Sequence, residues 1–241
     1  MYPSVQAAWV PFNNQLEGHL TFMYLDILGF VTTGMGDLVD PLPMALSLPW
    51  VNADGSAADA AAITTAWHAV DSCRSGPKGT RQTSGLATKY GGAFGGVTTI
   101  RLTEDGVAQA VLRQVAANEA TLRKFFPGYD TMPADAQMCV NSMAWAMGAG
   151  FPATFKAFTA AINAGDWATA KDNADFRGVG VANRIAANKI MLGNAGEAAL
   201  RGVDPGELFY PSDLTREAPT VPLPFHVADT EPPPPLDDEP A

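Results

Sequence analysis

Pro133 opens a segment, ADAQMCVNSMAWAM, that Gly148 and Gly150 close. Read as a helix, it is apolar nearly all round. Such a helix has no face to give to water and must be enclosed by other elements. The sequence supplies an enclosure. Apolar periodicity predicts further helices over 4–17, 57–71, 104–126, 152–163, 166–174 and 180–199. Pro11 is expected to kink or split the first of these, and Gly18 to stop it. Ser56 reads as the N-cap of the second, with Asp59 in its first turn, and Thr103 begins the third ahead of Glu104 and Asp105. At 47% hydrophobic over 241 residues, the chain can build a substantial core.

Two short strands, 22–26 and 30–34, precede most of the helices and flank a turn containing Gly29. The stretch DPLPMALSLPW reads as proline-punctuated loop, and 73–100 as a loop or loose hairpin at the surface. Gly91, Gly92, Gly95 and Gly96 lack the strand and helix that a phosphate-binding fingerprint requires. The fold class is therefore α+β, with strands early and a helical lobe later. Residues 1–202 form one domain carrying the 73–100 insertion. Residues 203–241, rich in proline and acids, read as an extended, mobile tail.

Charge is unevenly spread. Residues 1–73 hold seven acids and no Lys or Arg; 74–202 hold nine acids and fourteen bases; 203–241 hold nine acids and one base. The total of -10 argues against nucleic acid as a partner, while the cationic middle permits a polyanionic one. No apolar run is long enough to span a bilayer. The N-terminus lacks the basic region of a secretory signal, so the chain is expected to be made in the cytoplasm and delivered by another route. Cys73 and Cys139 read as two buried free thiols.

Glu17 falls in the last turn of the first helix, where the macrodipole and partial burial both favour the protonated carboxyl, as a general acid requires. If the turn is Ile27–Leu28–Gly29, Asp26 pairs with Phe30 and Tyr24 with Thr32. Asp26 and Thr32 then lie on one face as diagonal neighbours, able to hold a water between them. A turn one residue different brings Thr33 inward instead. A helix-end acid facing a strand carboxylate is an arrangement that hydrolyses glycosidic bonds. His19, His68, Met143, Trp145 and Trp167 read as structural residues.

The surrounding words carry more. LEGHLTFMYLDILGFVTTGMGDL resembles the catalytic hairpin of the T4-type phage lysozymes: Glu17–Gly18 ending a helix, Tyr24 leading to Asp26, and Gly34–Met35–Gly36 after Thr32. LTEDGVAQAVLRQVAANEATLRKFF is similar to that family's lobe-connecting helix, and AQMCVNSMAWAMGAGF to its buried central helix. FTAAINAGDWATAKDNA and VANRIAANKIML resemble its later segments, with Asn183–Arg184 matching an Asn–Arg pair. The resemblance covers roughly residues 5–195. It implies a lysozyme-like fold, with a small N-terminal β-hairpin lobe and a larger helical lobe joined by a long helix. It further implies a muramidase that cuts the β-1,4 bond between N-acetylmuramic acid and N-acetylglucosamine in peptidoglycan at the bacterial cell wall. Glu17 would be the general acid, and Asp26 and Thr32 would hold and activate water. Arg184 would pair with Glu17, lowering its pKa while fixing its position. No metal or organic cofactor is implied.

Some features depart from the family. Asp37 stands where a His commonly follows the Gly–x–Gly, which implies changed local ion pairing. The insertion and the acidic tail have no counterpart in compact members, and the tail invites a carrier or delivery apparatus as partner. These departures motivate an alternative: a non-catalytic peptidoglycan-binding or assembly module on the same fold.

Overall fold

The computed structural model describes residues 1–89, 91–178 and 181–216. In chain order its elements are α1 (Pro3–Glu17), β1 (Leu20–Leu25), β2 (Val31–Gly34), β3 (Asp37–Leu38), α2 (Leu42–Leu46), β4 (Trp50–Val51), α3 (Ala60–Asp71), β5 (Arg101–Leu102), α4 (Glu104–Phe125), α5 (Ala134–Met147), α6 (Lys156–Ala164), α7 (Trp167–Asp172) and α8 (Ala182–Arg201). The chain is α+β, mixing helices with small antiparallel sheets. One sheet has the order β1-β2-β3; β4 and β5 form the other.

The apolar helix is α5, and it is enclosed: every residue from Ala134 to Ala144 is buried. Helices α1, α4 and α8 pack against it. Helix α4 also touches β2, β3 and β5, so it links the sheet region to the helical bundle. Its start follows from local chemistry. The Thr103 side chain accepts from the Gly106 N–H at 3.1 Å, satisfying an N–H that the helix leaves unpaired. Glu104 and Asp105 lie in its first turn and Arg123 and Lys124 in its last, each on the side the macrodipole favours. Val107, Val111, Val115 and Leu122 form its buried stripe; each such side chain contributes about 1.5–3 kcal/mol by leaving water.

Three details differ from the sequence expectations. Pro11 lies within a continuous α1, on an exposed position. Asp59, not Ser56, caps α3, accepting from the Ala62 N–H at 2.7 Å. The reason lies just upstream: Ala57 bridges to Val51, and Ala58 donates to the Trp50 carbonyl at 2.9 Å, which draws both residues to β4. Within DPLPMALSLPW, residues 42–46 are helical, with prolines tolerated in the first turn.

The insertion is also more than a loose surface loop. Phe94 is fully buried, and Gln82 is 4% exposed. Lys78 bridges Asp40 at 2.6 Å and Asp71 at 3.2 Å and sits over the Trp67 ring. Arg101 donates to the carbonyls of Thr98 and Ile100 and lies over Phe22. A Cβ at Gly91 would come within 2.6 Å of Leu20 and 2.9 Å of the Tyr24 ring, so only glycine lets this backbone lie on β1. Polar composition hid these anchors, because few residues carry them.

Residues 203–216 of the stretch read as an extended tail are folded against the body. The buried Asp135 carboxylate accepts from the N–H groups of Phe209 at 2.8 Å and Tyr210 at 3.0 Å. Asn194 donates to it at 2.9 Å and accepts from the Leu214 N–H at 2.8 Å. Ser4 donates to the Gly206 carbonyl, and Tyr210 meets the Phe12 ring edge-on. The physical reason is that Asp135 and Asn194, buried on α5 and α8, need hydrogen-bonding partners. The remainder of the tail reading, 217–241, lies outside the described residues. No helix among the described residues is long and apolar enough to cross a membrane. Cys139 is buried and Cys73 partly so, and both are free.

Candidate functional site

The hairpin register places the first carboxylate. Tyr24 pairs with Thr32 and Leu25 with Val31, while the Asp26 N–H donates to the Phe30 carbonyl at 2.9 Å. This is the register expected from an Ile27–Leu28–Gly29 turn. Gly29 has φ 77°, and a Cβ there would meet the Gln82 side chain at 2.6 Å. Asp26 holds the turn through one oxygen: Oδ1 accepts from the N–H groups of Leu28 at 2.9 Å and Phe30 at 2.8 Å. Its Oδ2 has no donor among the described residues and faces no competing protein bond. Burial pushes the Asp26 carboxyl above its ordinary range, with the Phe30, Leu28 and Gly29 amides opposing and the Asp40 charge adding to the rise. A carboxylate shifted this way is the stronger base.

Thr32 and Thr33 separate as the alternation requires. The Thr32 hydroxyl donates to the Phe30 carbonyl at 3.1 Å, and as the cross-strand partner of Tyr24 it shares that residue's face. Thr32 is itself only 4% exposed, and its oxygen keeps acceptor capacity. The Thr33 hydroxyl donates to the Phe22 carbonyl at 3.1 Å and is fully buried.

Glu17 ends α1, where Gly18 turns the chain with φ 75°. Its side chain is 33% exposed and is ion-paired with Arg184 of α8, which is buried. The guanidinium has further partners. Nη2 donates to Asn13 Oδ1 at 3.0 Å and Nη1 to the Ser142 hydroxyl at 3.2 Å, while the Phe12 ring lies 5.8 Å away. Burial pulls the Arg184 pKa down and the Glu17 carboxylate holds it up. Arg184 is thus brought to Glu17, as the resemblance implies.

Tyr24 relates the two acids. Burial raises its phenol well above the ordinary range; the negative charges of Asp37, Asp26 and Glu17 raise it further. Glu17, on a helix, and Asp26, on a hairpin, therefore both lie within electrostatic reach of one phenol. Sequence reasoning gave Tyr24 no role; its alternation with Asp26 was the available signal.

Asp37 makes no ion pair within 4 Å among the described residues. It is 1% exposed, accepts from the Met35 N–H at 3.2 Å, and leaves its other oxygen unpartnered. Burial pushes it up to about 7, with the Met35 amide and the Arg113 charge opposing. Among the other candidates, His19 lies 3.2 Å from Glu104, and His68 stands edge-on to Trp67. Met143 is fully buried, Trp145 meets Trp9, and Trp167 packs on α8 near Gly196.

The insertion supports the hairpin tip, which sequence reasoning missed. Gly79 donates to the Leu28 carbonyl at 2.9 Å and Gln82 to the Ile27 carbonyl at 3.0 Å. Gln82 ties its own loop together, accepting from the Ser75 and Gly76 N–H groups and donating to the Thr80 carbonyl. The turn that orients Asp26 is therefore held from outside. Two concavities open elsewhere, one beside Phe155 and Asn173 and one between Met44 and Arg113; neither is lined by Glu17, Asp26 or Thr32. Compared with known proteins, the chain matches no family model, and no curated protein matches it.

Proposed function

We propose that this chain is a muramidase with a lysozyme-like fold, a glycoside hydrolase that cuts peptidoglycan glycan strands at the cell wall. The observation that carries the reading is a pair of carboxylates in different environments, both felt by one partly buried phenol. Glu17 sits at a helix end, anchored by a buried arginine; Asp26 sits on a hairpin turn with one oxygen committed and the other free. Both act electrostatically on Tyr24. The resemblance of the hairpin words to the T4-type lysozymes supplies the substrate class.

In this mechanism Glu17 gives its proton to the bridging oxygen as the bond to the anomeric carbon breaks. Asp26 Oδ2 and the Thr32 hydroxyl hold a water that attacks that carbon, and Asp26 takes the water's proton. Arg184 fixes where the Glu17 carboxyl points. The reaction needs no covalent intermediate.

The test is mass spectrometry of muropeptides released from purified sacculi. The expected product carries reducing-end muramic acid. Glu17→Gln, with unchanged circular dichroism, is expected to release none. Anhydro-muramic acid would indicate a lytic transglycosylase. Binding to sacculi without soluble fragments would turn the reading into the non-catalytic alternative.

A further inference from the structure

Asn13 is fully buried on α1, one turn before Glu17. Its Nδ2 has no acceptor among the described residues, so its side chain makes one hydrogen bond, from Arg184 Nη2 at 3.0 Å. A buried amide that satisfies only one of its ends is costly, and such a residue calls for an explanation beyond packing. The explanation lies in what it accepts from. Arg184 Nη2 also donates to Glu17, so Asn13 and Glu17 share one nitrogen of one cation. Four residues apart on a helix, they lie on the same face.

We propose that Asn13 is a positioning residue that sets the proton affinity of Glu17 through Arg184. Its neutral carbonyl takes a share of Nη2 from Glu17 by a hydrogen bond, and so competes for the cation less strongly than a carboxylate would. Ser142 holds Nη1 from α5. Other ionisable groups act on this region from the surrounding elements. Tyr24 and Asp26 lie on the hairpin side. His19 follows Gly18 and is paired with Glu104 of α4. From α8 the charged group is Arg184 itself.

The consequence for catalysis rests on the muramidase reading, but the titration does not. Two substitutions of similar volume push in opposite directions. Asn13→Asp adds a second carboxylate to the shared nitrogen, so the Glu17 carboxyl is expected to hold its proton to higher pH than in the unaltered protein. Asn13→Leu removes the competing acceptor and leaves Glu17 the only carboxylate or carbonyl on Nη2, so it titrates lower. The readout is carbon-13 NMR of Glu17 in folded protein, with circular dichroism as the check on folding. In active enzyme, the alkaline limb of the pH–rate profile moves with each midpoint while KM for sacculi stays unchanged. Opposite displacements support the proposal. A Glu17 midpoint unmoved in either folded variant overturns it, because a purely structural asparagine would leave the titration alone. Absence of turnover in the unaltered protein would end the muramidase reading and leave the NMR result to decide this one.

Discussion

Asp37 gives the most quantitative test of the site's electrostatics. Its ordinary pKa is 3.8, and burial raises it to about 7 in the folded chain. Between those values the folded protein keeps a proton that the unfolded chain has released. Stability therefore falls as pH rises through this window and is level above and below it. At about 1.4 kcal/mol for each pH unit, the contribution over the window is about 4 kcal/mol. Asp37→Asn keeps the shape and the acceptor for the Met35 N–H but removes the titration. The variant is expected to match the unaltered protein near pH 4 and to exceed it by several kcal/mol, up to about 4, near pH 8. Urea unfolding at a series of pH values, with m-values compared, measures the difference directly. A difference between the two proteins that is the same at about pH 5 and about pH 8 would refute the assignment of a buried, proton-holding Asp37.

Two further outcomes follow from the packing. Gln82→Ala should cost about 1–3 kcal/mol through the loop amides it leaves unpaired, and hydrogen exchange at Leu28 and Phe30 should speed up; unchanged exchange there would mean that the insertion does not hold the Asp26 turn. Asp135→Ala should release residues 203–216, seen as new proteolytic cuts within that stretch, and cuts no faster than in the unaltered protein would contradict the role given to its carboxylate.

The parts of the molecule legible in the sequence are those governed by local rules. The hairpin register followed from alternation and the need for glycine at residue 29, which has φ 77°. Helix α4 followed from Thr103 and the charges at its two ends, and α5 from its all-round apolarity. What stayed hidden depends on contacts between distant segments. Gln82 reads as one polar residue in a polar loop, yet it is buried against the hairpin tip. Asp135 reads as a first-turn acid and instead gathers residues 209 and 210. Residues 203–216 share their proline and acid content with the run that follows them, which masks their contacts with the body. In the site, Glu17, Asp26 and Thr32 were named from motif words, whereas Asn13 and Ser142 carry no motif and are found only through Arg184.

Residues 17 and 184 are separated by 167 positions along the chain. During synthesis the acid-bearing helix and the hairpin emerge before α8, and the cation that anchors Glu17 arrives only when α8 has been made. Closing so long a loop is entropically slow and depends on the intervening helices having packed. A nascent or truncated chain ending before α8 would thus carry the Asp26 turn but leave Glu17 without its anchoring cation, so completion of the Glu17 side of the site waits for α8.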